Sequence, residues 1–110
     1  MKILVCGGTR YSDARRLNPK LDSLAAEYGD TELISSCARG VDHLAHLWAK
    51  SCGVHIQRIP AQRGPEGIMA CNVQMLAQKP DMVLGFPGGP GAAHMLEIAR
   101  AAGVRVEEVD

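Results

Sequence analysis

The residues best suited to chemistry in this chain sit in three glycine-bearing turns. Phe86-Pro87-Gly88-Gly89-Pro90-Gly91-Ala92 lies between an apolar run and a helical pattern, with His94 and Met95 just behind it. Glycines there leave backbone N–H groups free of side-chain cover, with the positive end of a helix macrodipole behind them, so the turn suits an anion. Gly7-Gly8 follows the first apolar run and leads into Thr9, Arg10 and Tyr11. The third turn, Arg39-Gly40, follows Ser35-Ser36 and precedes Asp42. Arg39 suits a charge-assisted contact to phosphate, or else stands solvated or paired with Asp42. Asp42 suits a ribose hydroxyl, weak general-base work, or simple capping of its helix. Arg10 and Tyr11 are placed to cover a ligand, the tyrosine by stacking on a base, and Asn72 to fix a loop or read the ligand. Plain turn geometry is the competing reading for every glycine named.

Several chemistries are excluded by spacing. A Walker loop needs Gly-x4-Gly-Lys-Ser/Thr, which is absent. A dinucleotide fingerprint needs three glycines after the first strand and an acid ending the second, whereas Gly7-Gly8 and Ser35-Ser36 stand there. No Gly-x-Ser-x-Gly elbow occurs. His43 and His46 lack a third ligand at a metal-binding spacing, so no metal and no cofactor is expected. For N-glycosidic hydrolysis the only carboxylates to nominate are Asp42 and Glu97, and Glu97 lies more than a turn into its helix. The catalytic residues are otherwise unassigned, and binding is favoured over catalysis.

These turns need elements to hold them. Lys2 to Cys6 reads as a buried parallel strand. Asn18-Pro19 carries a helix-start signal, with Ser12 or Asp13 as an alternative earlier cap, and Leu21, Leu24, Ala25 and Tyr28 follow before Gly29. Strand 31–36 leads to the most regular helix, whose face is Val41, Leu44, Ala45, Trp48, Ala49 and Cys52, stopped by Gly53. Strand 54–60, a polar loop over 61–67 and a helix over 68–78 follow, with Met69, Val73 and Leu76 expected in the core. Strand 81–86 then leads to a helix over 92–102, with Ala92, Met95, Leu96, Ala99 and Ala102 on one face. The last strand, 104–109, reads as an edge. Met75, Met95 and Trp48 are expected in the core. The alternation predicts an α/β, Rossmann-like three-layer fold, with a five-stranded mostly parallel sheet and helices on both faces. Gly7-Gly8 and Gly88–Gly91 would then face each other where strand order reverses.

Composition fits one domain over residues 1–110, with 46% hydrophobic and 22% charged residues. Lys plus Arg equals Asp plus Glu at 12 each, so bulk electrostatic binding of nucleic acid is not expected. The four cysteines are far apart; Cys6 in a strand pattern and Cys52 on an apolar face suit reduced, buried thiols. No membrane-length apolar run is present and Met1 leads directly into a strand, so a cytoplasmic protein is expected.

Four ordered motifs run through the chain: Gly7-Gly8-x-x-Tyr11-x-Asp13; Ala38-Arg39-Gly40-x-Asp42 with Leu44-Ala45-x-x-Trp48-Ala49; Asn72-x-x-Met75; and Phe86-Pro87-Gly88-Gly89-x-Gly91-x-x-x-Met95. Together they resemble the YspA-like branch of the SLOG superfamily, whose relatives include the LOG phosphoribohydrolases and the DNA-processing protein DprA. The resemblance implies a Rossmann-like fold that binds nucleotides or nucleotide-derived ligands, as well as homo-oligomerisation, a dimer or higher. It implies ligand contacts from Gly7, Gly8, Thr9, Arg10, Tyr11, Ser36, Arg39, Gly40, Asp42, Asn72, Pro87, Gly88, Gly89, Gly91 and Ala92. Departures are informative. Ala92 stands where the superfamily loop has threonine, and His94 and Met95 stand where the hydrolases keep acids. Cys71 replaces a common arginine, and Ser35-Ser36-Cys37 replaces a stretch where glycine is common. The resulting expectation is a phage or bacterial sensor or sequestering protein for a nucleotide-type small molecule, including cyclic or ADP-ribose-type signals. The alternative is a nucleoside-monophosphate phosphoribohydrolase, and single-stranded DNA binding ranks behind both.

Overall fold

The computed structural model describes residues 1–36 and 39–109. Ala38 of the second motif, and Cys37 of the Ser35-Ser36-Cys37 departure, lie outside the described residues. Five strands and four helices alternate: β1 (Lys2–Cys6), α1 (Ala14–Tyr28), β2 (Glu32–Ser35), α2 (Val41–Cys52), β3 (His55–Arg58), α3 (Gly64–Leu76), β4 (Met82–Gly85), α4 (Pro90–Ala101) and β5 (Arg105–Glu108). All strand pairs are parallel in the order β3-β2-β1-β4-β5. The order reverses between β1 and β4, where Cys6 is in register with Gly85. The expected α/β architecture and its switch point are therefore present.

Two-residue periodicity within β1 sends its side chains to opposite faces. Ile3 and Val5 join Leu17, Leu21 and Leu24 of α1 and Val41, Ala45, Trp48 and Ala49 of α2. Leu4 and Cys6 join Cys71 and Met75 of α3 and Ala92, Met95 and Ala99 of α4. The central strands are buried on both sides, which explains their unbroken apolar sequences. Both edge strands, β3 and β5, are exposed at their ends and carry charged or polar side chains that discourage further pairing.

Three local expectations need correction. First, α1 starts at Ala14 after Asp13, so the earlier start holds and Asn18-Pro19 is not the cap. Pro19 lies inside the helix, where it lacks the N–H that would bond to Arg15. Starting earlier buries Leu17 with Leu21 and Leu24 at helical spacing, each worth about 1.5–3 kcal/mol, comparable to or greater than the local defect. Second, α3 starts at Gly64, with Pro65 in its first turn, rather than at Ile68. Its buried residues are Cys71, Asn72 and Met75, whereas Met69 and Val73 are exposed. Third, Cys52 is exposed at the end of α2, while Cys6 and Cys71 are buried and in no disulfide, the Cys71 thiol donating to Ile59 O at 3.1 Å.

Candidate functional site

The glycine turns meet one another before they meet any ligand. Gly8 N–H donates to Pro87 O at 3.1 Å, and Gly8 O accepts from Val41 N at 3.3 Å and Tyr11 N at 3.3 Å. A Cβ on Gly88 would fall 2.1 Å from Gly8 Cα, and one on Gly40 would fall 2.2 Å from Gly8 O. Backbone contact at Gly8 thus requires glycine in both other turns, and both occupy positive φ, +142° and +73°. The facing of Gly7-Gly8 with the β4 turn is a direct hydrogen-bonded contact. It also corrects the expected role of Gly8, whose amide is already engaged.

Beside this junction lies a cleft of about 280 Å³ at the carboxyl ends of the strands. Of the expected contacts, Gly7, Gly8, Thr9, Ser36, Asp42, Asn72, Gly89, Gly91 and Ala92 line it. Arg10, Tyr11, Arg39, Gly40, Pro87 and Gly88 do not. Tyr11 instead packs on Phe86, with ring centroids 5.4 Å apart and planes at 49°, so its ring serves the core edge rather than a base. Arg10 and Arg39 are exposed. Glu97 is exposed on α4 away from the cleft, which removes it as a catalytic candidate.

The donors of the cleft come from α4. Gly89 is its cap residue and Pro90 begins it. Ala93 N–H already reaches Gly89 O at 3.2 Å, so the earlier amides of Gly91 and Ala92 are the ones that a first turn leaves without intrahelical acceptors. Both residues line the cleft, which places the helix's positive end against it. Asn72, 5% exposed on α3, fixes this turn by donating to Gly91 O at 2.9 Å. Its other amide hydrogen serves His94 Nδ1 at 3.0 Å, an assignment that makes Nδ1 the acceptor nitrogen of that ring. Asn72→Ala should lower stability by about 1–3 kcal/mol through two lost hydrogen bonds, read by chemical denaturation, and should loosen the α4 turn.

The acid of the cleft is Asp42. Ser35 Oγ donates to its Oδ1 at 2.7 Å and Ser36 Oγ donates to its Oδ2. Gly40 holds the N-cap position of α2 and no side chain caps the helix, so the capping reading of Asp42 is overturned. Burial pushes the carboxyl above its ordinary value, outweighing the two serine bonds and the field of Arg58, which act the other way. Cys6 alongside is pushed up to about 12, by burial first and then by the charges of Asp42 and Glu108. A thiol held that high stays protonated at neutral pH and is a poor nucleophile.

Sequence reasoning missed the cleft's apolar floor: Cys6, Ala61, Ile68, Cys71 and Met75. Cys6 was discoverable as the end of the strand at the switch point. The α3 residues were not, because that helix has apolar residues all round. No group of three or more His, Cys, Asp or Glu that could hold a metal occurs among the described residues, and no helix there is long and apolar enough to cross a membrane.

The fold is similar to two solved structures. The X-ray structure of TM1055, a structural genomics target, is 19% identical with a TM-score of 0.75, over 96% of this chain and 71% of that one. The crystal structure of MurG from Acinetobacter baumannii is 19% identical with a TM-score of 0.66, over 97% of this chain and 34% of that one. At such identities the likeness concerns the fold alone. No curated protein matches in sequence. The sequence model of the YspA, cpYpsA-related SLOG family matches residues 1–64, which carry Gly7-Gly8, Gly40 and Asp42 but not the Pro87–Ala92 turn. That match spans more than half of the chain, and with the parallel sheet and its glycine junction it makes this protein a member of the YspA, cpYpsA-related SLOG family.

Proposed function

We propose that the cleft binds a nucleotide or nucleotide-derived ligand, as a sensor or sequestering protein would. The observation that carries this reading is the convergence of three unlike surfaces on one cleft. The first-turn amides of α4 suit a phosphate, the Asp42 carboxyl suits a ribose hydroxyl, and the floor of Ala61, Ile68 and Met75 suits a base. Thermal-shift screening against nucleoside mono-, di- and cyclic phosphates tests it. At least one should raise the melting temperature in a concentration-dependent way, while a uniformly silent panel would remove the reading.

A second reading, hydrolysis of a nucleoside monophosphate at its N-glycosidic bond, draws on Asp42. A buried carboxyl that holds its proton more tightly than in water can give it to a departing base nitrogen, while water takes the base's place at C1′ and returns a proton to the carboxylate. Release of free base from a monophosphate, abolished in Asp42→Asn, would favour this reading over binding alone.

The same substitution has a pH signature. Because the folded carboxyl titrates above its ordinary 3.8, the fold holds the proton more tightly than the unfolded chain does. Stability therefore falls as pH rises from about 3.8 through the raised value, and this loss is absent in Asp42→Asn. The variant should melt at or above the wild-type temperature at pH 7, with the gap closing below pH 3.8. Melting curves across that range check it.

A further inference from the structure

The first turn of α4 is tied to α3 by one buried amide that uses both of its hydrogens. Asn72 donates one to Gly91 O at 2.9 Å and the other to His94 Nδ1 at 3.0 Å. Gly91 O can only accept, so the nitrogen of Asn72 must face it, and that settles which way the amide points. Gly91 C=O and Ala92 N–H belong to one planar peptide group. A bond that holds the oxygen therefore aims the Ala92 N–H, and Ala92 lines the cleft. His94 does not line it, and among the described residues it hydrogen-bonds Asn72 alone.

We propose that His94 is the positioning residue of this turn and holds it only as a neutral imidazole. The inference rests on reading the turn as the phosphate site of the cleft. In a neutral ring that accepts at Nδ1 the proton sits on Nε2. A second proton puts an N–H on Nδ1, opposite the Asn72 NH2, donor against donor. Asn72 then keeps His94 only by turning its oxygen inward, against Gly91 O, or keeps Gly91 only by expelling the ring. Either way the link from α3 to the α4 turn loses one of its two bonds. Histidine changes charge between about pH 5 and 8, so the turn is firmest at the upper end of that range. The strands and helix packed against α4 carry few other charges. On β5, Arg105 bonds Tyr28 Oη, Glu107 pairs with Lys20, and Glu108 pairs with Arg100 of α4 itself. β4 has no charged residue. On α3 the titratable groups are Glu66 in the first turn and Cys71, with Lys79 beyond its end, and α4 adds the exposed Glu97.

Amide exchange read by NMR on the ligand-free chain tests the proposal. Wild type and His94→Asn are compared at matched pH, so the intrinsic pH dependence of exchange cancels. The asparagine Oδ1 takes the place of Nδ1 as an acceptor and does not titrate. The probes are the Asn72 side-chain amide and Ala93 N–H, which bonds Gly89 O across the same turn. At about pH 8 both should exchange equally in the two proteins, and at about pH 5 about three- to ten-fold faster in the wild type, as for one lost hydrogen bond. His94→Ala, with no acceptor, should show the faster rates at both pH values, and serves should His94→Asn fail to fold. A ratio of wild type to His94→Asn near one throughout, or His94→Ala no faster than wild type at the higher pH, would overturn the proposal. Calorimetry with nucleoside 5′-monophosphates reads the consequence for binding. The wild type should bind as tightly as His94→Asn at about pH 8 and about three- to ten-fold more weakly at about pH 5. Tighter binding by the wild type at the lower pH would make His94 a direct phosphate contact and also sink the proposal. Binding by neither protein would remove the phosphate reading of the turn, while the exchange ratios still decide the role of His94.

Discussion

Gly88→Ala should be the most damaging conservative substitution in the chain, lowering stability by about 3 kcal/mol and the melting temperature by about 10 °C or more. The wild-type φ of +142° is one that L side chains rarely adopt. Strain at such a position is of order 1–3 kcal/mol. The added Cβ would also fall 2.1 Å from Gly8 Cα and 2.4 Å from Gly8 N, both backbone atoms, so neither can turn aside as a side chain would. The two turns must separate, which breaks the Gly8 N–H to Pro87 O bond and removes about 1 kcal/mol more. Gly29→Ala is the control: its φ is +74° but nothing lies within 4 Å of the new Cβ, so about 1 kcal/mol is expected. Thermal melts of the two variants side by side check the difference. If Gly88→Ala melts within a degree or two of Gly29→Ala, the backbones of Gly8 and Gly88 are not in tight contact.

Gly91→Val should do the reverse, sparing the fold and removing ligand affinity. Gly91 lies in the first turn of α4 with no positive φ, and replacing glycine in a helix is neutral or mildly favourable. A Cβ there would meet only Ile68 Cγ2, at 3.0 Å, on a side chain that is 40% exposed and free to give way. The larger side chain would occupy the cleft directly beside the amides of Gly91 and Ala92. Losing one hydrogen bond to a charged phosphate removes about 1.5–3 kcal/mol, or about ten- to a hundred-fold in affinity. A melting temperature at or near wild type together with that loss would assign the effect to the cleft rather than to folding.

The sheet and its switch point were legible because parallel strands buried on both faces read as unbroken apolar runs. Ile3 to Cys6 and Met82 to Gly85 are such runs, and they lie side by side at the reversal of strand order. The α2 helix was legible for a different reason, its single apolar face and its αL stop at Gly53. The phase of α3 was not. Ile68, Met69, Val73, Cys71 and Met75 surround the helix, so apolarity does not say which side faces the sheet; only Asn72, polar and buried, marks it. The glycine turns were found but their division of labour was hidden. Gly8, Gly40 and Gly88 serve close backbone contact, and Gly89 and Gly91 line the cleft. Composition cannot separate these uses, because both require the absence of a side chain. The partners of Asp42 were equally hidden: Ser35 and Ser36 lie before the turn, and only the fold of that turn brings their hydroxyls to the carboxylate.

The central claim is that the α4 turn holds the phosphate of a nucleotide-type ligand. Calorimetric titration of the wild-type chain and Gly91→Val with nucleoside 5′-monophosphates and the matching unphosphorylated nucleosides tests it most directly. At least one monophosphate should bind the wild type, its nucleoside should bind at least about ten-fold more weakly, and Gly91→Val should lose most of the difference. Nucleosides binding as tightly as their monophosphates, or no monophosphate binding at all, would contradict it.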